Sequence, residues 1–269
     1  MAENKLVFLG GGNMAAAIGR GLVAKHTPFD LGFYDIHQEK AEKLAAELHA
    51  KSFASLEEAV KAADMLLLAV KPQAMSGLLA DVAGFIRPGQ MVLTIAAGLP
   101  LAYYETKLPN VPLVRAMPNT SAQVLAAITG LMAGSLADEK HKKLAGQVFA
   151  AVGDTVWIEE KDIHALTAIS GSGPAYFYYF TEALARAGEK LGLDAKTAAK
   201  LARQTAVGSG QMLAESQASP AELRVQVTSK GGTTAAALSA FGDALPNLVE
   251  MACMACAGRS AEMAEEMSD

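Results

Sequence analysis

Cysteine is nearly absent from this chain, which removes two kinds of protein at once. Only Cys253 and Cys256 occur among 269 residues, so no disulfide framework holds the fold. Their C-x-x-C spacing would suit a redox or zinc pair. They fall late in a long apolar helical pattern, with no second cysteine pair or nearby histidine, and read as two small core residues. His26, His37, His49, His141 and His164 are scattered without ligand spacing, so no metal site is expected. Charge is scarce too: 19% of residues are charged against 51% hydrophobic, an apolar balance for a globular chain. The net charge of −5 offers no basic footprint for nucleic acid. No uninterrupted apolar run reaches the roughly eighteen residues that mark a membrane span. Met1-Ala2-Glu3-Asn4-Lys5 runs straight into a strand pattern, and no signal peptide is expected. These absences leave a cytoplasmic protein, long enough for two domains, whose surplus apolar surface is expected in a subunit interface.

What is present begins with glycine. Leu6-Val7-Phe8-Leu9 is a short apolar strand that ends in Gly10-Gly11-Gly12-Asn13-Met14-Ala15, and a helical pattern follows through Ile18, Leu22 and Val23. Gly10-x-Gly12-x-x-Ala15 is a dinucleotide fingerprint: the glycines make a tight turn and admit pyrophosphate, and Ala15 lets helix pack on strand. Further strands are expected at 31–35, 65–70, 91–96, 113–117, 127–132 and 155–158, with a charged helix over 38–50. Strands alternating with helices predict an α/β fold of the Rossmann type, a doubly wound, mostly parallel sheet. Ligands of such sheets lie at the carboxyl ends of the strands, which selects Gly10–Met14, Ala69-Val70-Lys71-Pro72 and Ala96-Ala97-Gly98 as a cofactor rim. Asp35 ends the second strand, where an acid hydrogen-bonds a ribose 2′-hydroxyl and opposes a 2′-phosphate. His37, Lys40 and Lys43 follow closely, so these residues alone leave NAD and NADP both open.

From about Asp162 the strand signals stop, and an all-helical region is expected. The domains divide as 1–161 and 162–269. Ser170-Gly171-Ser172-Gly173-Pro174 precedes a helix over 175–191 whose run Tyr176-Phe177-Tyr178-Tyr179-Phe180 predicts burial on several sides. The serine–glycine segment is either a hinge or a tight anion or cofactor contact at a helix start. Helices are expected over 195–214, 220–227 and, as one or two pieces, 233–267. Before the last lies Thr228-Ser229-Lys230-Gly231-Gly232-Thr233-Thr234, small, polar and glycine-rich, opening onto an apolar helix. Free N–H groups at such a start suit a carboxylate or phosphate.

A base for alcohol oxidation is missing. β-Hydroxyacid dehydrogenases place a lysine and an asparagine on the helix after the corresponding glycine-rich segment; here no lysine occurs before Lys190. Reduction of a protonated imine needs no such base. Gly10–Met14, Ala69-Val70-Lys71-Pro72-Gln73, Arg115-Ala116-Met117-Pro118-Asn119-Thr120, Ser170–Ala175 and Ser229–Thr234 occur in this order. On these motifs the chain resembles the pyrroline-5-carboxylate reductases over essentially its whole length. The resemblance implies NAD(P)H-dependent reduction of L-1-pyrroline-5-carboxylate to L-proline, the last step of proline biosynthesis. It implies an all-helical C-terminal dimerisation domain, with a homodimer that can assemble into a decamer. By the same resemblance Leu9, Gly10, Gly11, Gly12, Asn13 and Met14, Ala69, Val70, Lys71 and Pro72, and Ala96, Ala97 and Gly98 hold the cofactor. Tyr34, Asp35 and Ile36 lie near the adenosine ribose. Ser170, Gly171, Ser172, Gly173 and Pro174 line the substrate pocket. Gly231, Gly232, Thr233 and Thr234 bind the substrate carboxylate, with Thr234 as the catalytic residue near the imine nitrogen. NADP(H) is the expected cofactor and NAD(H) the alternative, because no arginine follows Asp35. Lys71 is assigned to the cofactor over a bare surface role; Asn119 either meets the nicotinamide amide or caps a turn. The rival readings are a related imine or β-hydroxyacid reductase on the same scaffold, or a non-catalytic NAD(P)-sensing protein.

Overall fold

Apolar residues on both faces of each central strand dictate a sheet covered on both sides. In the first strand Leu6 and Phe8 enter one core cluster while Val7 and Leu9 enter the other. The computed structural model describes residues 4–267; Met1, Ala2 and Glu3, on which part of the signal-peptide expectation rests, lie outside them. The strands are β1 (Asn4–Leu9), β2 (Phe29–Tyr34), β3 (Lys51–Ser52), β4 (Met65–Leu68), β5 (Met91–Thr94), β6 (Leu113–Met117), β7 (Ala127–Ala133) and β8 (Gly153–Trp157). They form one sheet in the order β3-β2-β1-β4-β5-β6-β7-β8. Neighbours run parallel except β6 and β7, which are antiparallel. The order reverses between β1 and β4, the switch point where a Rossmann sheet takes its ligand.

Helices α1 (Asn13–Ala24), α2 (Gln38–Leu48), α3 (Leu56–Ala62), α4 (Pro72–Ala83), α5 (Leu101–Lys107), α6 (Glu139–Ala150) and α7 (Ile163–Leu166) accompany the sheet. The α/β fold of Rossmann type expected from the strand–helix alternation is the one observed. Two expected strands are shorter than the pattern implied: β4 stops at Leu68 and β5 at Thr94. Their last apolar residues leave the ladder to form the rim, although Ala69 still donates its N–H to the Leu9 carbonyl at 2.8 Å. The two-residue β3 carries no periodicity from which it could be read.

The chain parts into two compact units. One comprises the residues up to Gly171 together with those from Cys256 onward, the other Ser172–Ala255. The second unit is helical: α8 (Gly173–Lys190), α9 (Ala195–Glu215), α10 (Pro220–Gln226), α11 (Thr233–Phe241) and the first part of α12 (Ala244–Glu266). The far end of α12 belongs to the first unit, where Ser260 Oγ and His164 Nδ1 share a hydrogen bond of 3.0 Å. Asp194 caps α9 and Ser219 caps α10, the latter in a reciprocal box with Glu222. The expectation of a multiply buried aromatic run on α8 is corrected. Phe177, Tyr178 and Tyr179 are 70%, 65% and 69% exposed. Within the second unit Phe180 meets Phe241 at 6.4 Å between ring centres.

Phe8 and Phe33 stack at 4.8 Å between ring centres, both fully buried under α1 and α2. Phe8→Ala removes a ring from a site that the strands cannot collapse into. Chemical denaturation should show a loss of about 3–5 kcal/mol; a loss below about 1 kcal/mol would mean that this layer is not the packed core.

Candidate functional sites

The rim at the carboxyl ends of β1, β2 and β4 is built on a backbone crossing that only glycine permits. Gly10 adopts φ +109°, and a Cβ there would lie 2.8 Å from the Ala69 carbonyl oxygen. Its N–H donates to the Tyr34 carbonyl at 2.8 Å, so one residue ties the ends of β1, β2 and β4 together. Gly11 donates its N–H to Asp35 Oδ2 at 2.7 Å, and His37 N–H donates to Oδ1 of the same carboxylate at 2.8 Å. Gly12 then opens α1 with no side-chain cap and no acid in the first turn. A Cβ at Gly12 would meet nothing within 4 Å, so the space before these N–H groups is open. Free N–H groups, open space and the positive end of the helix dipole fit a pyrophosphate.

Each rim residue has a definite place. Leu9 is fully buried and its carbonyl takes the Ala69 N–H, so it shapes the loop from beneath. Asn13 is exposed, and Met14 packs against the core below α1. Tyr34 is half-buried, whereas Ile36 is 84% exposed beside the Asp35 carboxylate. Lys71 is an exposed residue before the proline-led α4, with no cap formed by its side chain. Ala69, Val70 and Pro72 are half-buried around it. At the end of β5, Ala96 is buried and Ala97 exposed, and Gly98 takes φ +84° against the Met267 side chain.

Asn119 is committed to its own chain. Its Oδ1 accepts the Ser121 N–H at 3.1 Å and its Nδ2 donates to the Ser170 carbonyl at 3.0 Å. The turn cap is present, together with a tie to the serine–glycine segment. That segment forms a wide π-turn over Thr167–Gly171, in which Ser170 Oγ donates back to the Leu166 carbonyl. Such widened turns recur at functional positions. Ser172, Gly173 and Pro174 continue into α8 in the second unit.

In the second unit, Gly231 adopts φ +71° and is exposed, and Gly232 is the N-cap of α11. The helix start again has no side-chain cap and no acid in its first turn. Thr233 is exposed and Thr234 half-buried. The first N–H groups of α11 and the Thr234 hydroxyl thus occupy one short turn, able to hold a small anion and one further polar atom.

A cavity of about 790 Å³ lined by Met132, Lys143, Trp157 and Glu160 lies elsewhere. Because β7 runs against β6, the end of β7 that lines the cavity sits beside the start of β6; of the lining residues, Glu160 also reaches back to Leu101 and Arg115. Among the described residues no His, Cys, Asp or Glu side chains gather as a metal-binding set. No helix among them is long and apolar enough to cross a membrane.

The comparisons with known proteins agree with these features. Residues 160–263 match the family described as pyrroline-5-carboxylate reductase dimerisation. Residues 5–98 match the coenzyme F420-dependent NADP oxidoreductases. A pyrroline-5-carboxylate reductase of Pseudomonas aeruginosa is 42% identical over 271 residues, covering 99% of each chain. The chain belongs to the pyrroline-5-carboxylate reductase family. A solved pyrroline-5-carboxylate reductase of Coxiella burnetii superposes with a TM-score of 0.92 at 33% identity, covering 97% of this chain and 98% of that one. The Plasmodium falciparum pyrroline carboxylate reductase, solved with NADP bound, gives a TM-score of 0.81 at 28% identity over 98% of this chain and 99% of that one.

Motif reading missed the pair Arg115 and Glu160, which share a hydrogen bond of 2.7 Å, with the Leu101 N–H on the same Glu160 oxygen. Glu160 carries no motif, and Arg115 is legible only as part of one. Gly10→Ala should abolish cofactor binding, because its Cβ meets the Ala69 carbonyl and its φ is strained. Titration of nicotinamide cofactor by fluorescence checks this; an unchanged affinity would place the cofactor elsewhere.

Proposed function

We propose that the protein reduces L-1-pyrroline-5-carboxylate to L-proline with NAD(P)H, closing proline biosynthesis in the cytoplasm. The observation that carries the reading is the uncapped start of α11 at Gly231–Thr234, a second anion seat in a chain of this family. Residues 1–161 serve the cofactor and residues 162–269 serve the substrate and the subunit interface.

Bound NAD(P)H supplies the hydride for the imine carbon. The N–H groups that open α11 hold the substrate carboxylate, and the Thr234 hydroxyl orients the imine nitrogen. Ser170, Gly171, Ser172, Gly173 and Pro174 wall the ring and exclude water. Catalysis is then mainly positional: a protonated imine carries its own proton, and the protein fixes its distance and angle to the hydride donor. NADP(H) is the preferred cofactor and NAD(H) the alternative. Asp35 would oppose a 2′-phosphate, yet two backbone N–H groups already share its charge.

The protein is a homo-oligomer in this reading. The aromatic face of α8 and the exposed Leu248, Val249, Met251 and Met254 of α12 are apolar surface for a second copy to cover. The homodimer assembles further to a decamer, and each site draws on two chains.

Proline formation from pyrroline-5-carboxylate, assayed with NADPH and NADH in parallel and beside a panel of hydroxy acids in reverse, tests the function. Turnover of a β-hydroxyacid or a larger imine without proline formation would favour the related reductase. Cofactor binding without turnover would favour the sensor. Thr234→Ala should lower kcat/KM by roughly tenfold or more, about 1.4 kcal/mol of transition-state stabilisation; an unchanged value removes the orienting role. Asp35→Ser should raise the NADPH-to-NADH ratio of kcat/KM, and a fall would show that the carboxylate does not oppose the 2′-phosphate.

A further inference from the structure

Both flanks of the Ile95–Pro100 turn, which carries Ala96, Ala97 and Gly98, end in polar contacts, buried on the entering side and partly buried on the leaving side. On the entering side, Ala96 donates its N–H to Thr94 Oγ1 at 3.4 Å, and Thr94 Oγ1 donates to Tyr104 Oη at 2.9 Å. Thr94 and Tyr104 are fully buried. Burial pushes the Tyr104 phenol up to about 12, so the hydroxyl stays neutral across the working range. On the leaving side, Leu101 donates its N–H to Glu160 Oε1 at 2.7 Å, and Arg115 Nη1 donates to the same oxygen at 2.7 Å. The Arg115 side chain is 6% exposed and that of Glu160 31%, so the pair is shielded on the arginine side. Glu160 follows β8, Arg115 sits in β6, and Tyr104 lies on α5. Three elements outside the cofactor loops therefore converge on one turn.

We propose that Glu160, held by Arg115, and Tyr104, acting through Thr94, are positioning residues that hold the Ala96–Gly98 turn in its cofactor-binding form. This rests on the assignment of that turn to the cofactor. None of the four side chains need touch cofactor or substrate. Their function is to keep the backbone N–H groups on both sides of the turn satisfied, so that the turn does not relax away from the rim. A buried hydrogen-bonded network suits that task, because each broken member leaves an unsatisfied group behind. Pro100, the N-cap of α5, has no polar side chain to accept an N–H from the first turn. The cap comes instead from Glu160, 59 residues further along the chain.

Direct cofactor titration without substrate, followed by steady-state kinetics, tests the proposal. Glu160→Ala should weaken NAD(P)H binding by about fivefold or more, the effect of losing one hydrogen bond at least. It should raise KM for the cofactor far more than KM for pyrroline-5-carboxylate. Glu160→Gln keeps an oxygen for the Leu101 N–H and should recover most of the cofactor affinity. Tyr104→Phe keeps the buried ring, removes the partner of Thr94, and should weaken cofactor binding without affecting substrate KM. An unchanged cofactor affinity in folded Glu160→Ala overturns the proposal; should that variant fail to fold, an unchanged affinity in Tyr104→Phe does so. Equal weakening by Glu160→Gln and Glu160→Ala, with both KM values rising together, also overturns it, since that marks general destabilisation. A wild-type protein that binds neither NADPH nor NADH would sink the functional reading itself, and is told apart by that measurement alone.

Discussion

The arrangement at the rim depends on how closely the Gly10 backbone lies against the Ala69 carbonyl. With no side chain in the way, Gly10 can donate to Tyr34 while β4 ends directly beside it. That crossing fixes the height at which β1, β2 and β4 stop. It turns Gly11 toward Asp35, and it leaves Gly12 to start α1 with its N–H groups unused. A bulkier residue would separate the strands at the switch point and leave neither loop where a dinucleotide needs it.

Helix starts in this chain are either closed by a side chain or left without one. α3, α6, α9 and α10 are closed at their starts by Ser55, Asp138, Asp194 and Ser219. α1 and α11 start on glycines without side-chain caps or first-turn acids. Capping satisfies the orphan N–H groups within the chain; leaving them open keeps the positive end of the helix available to an anion. Of these two glycine starts, one lies on the sheet unit and the other in the helical unit, and in the proposed function they take a cofactor phosphate and a substrate carboxylate.

How legible this was in the sequence varies with the distance over which each constraint acts. Gly10, Gly12, Gly231 and Gly232 could be read because a tight turn leaves its mark in neighbouring residues. Asp35 was legible as an acid after β2, but its engagement with Gly11 and His37 was not, since carboxylate direction depends on the folded loop. Asn119 could be read as a turn cap or a cofactor contact, but its tie to the Ser170 carbonyl, 51 residues on, could not be read. Glu160 stayed invisible because its partners lie 45 and 59 residues away. The α8 aromatic run shows a different limit. Its hydrophobicity was plain, but a sequence does not say whether its own chain or another copy covers it, and among the described residues Phe177, Tyr178 and Tyr179 are exposed.

Isotope transfer tests the central claim most directly. The protein is incubated with pyrroline-5-carboxylate and NADPH deuterated at both C4 positions, and the product is read by mass spectrometry and NMR. The account predicts proline carrying one deuterium at C5, the former imine carbon. Unlabelled proline, or no proline while the cofactor binds, would contradict it.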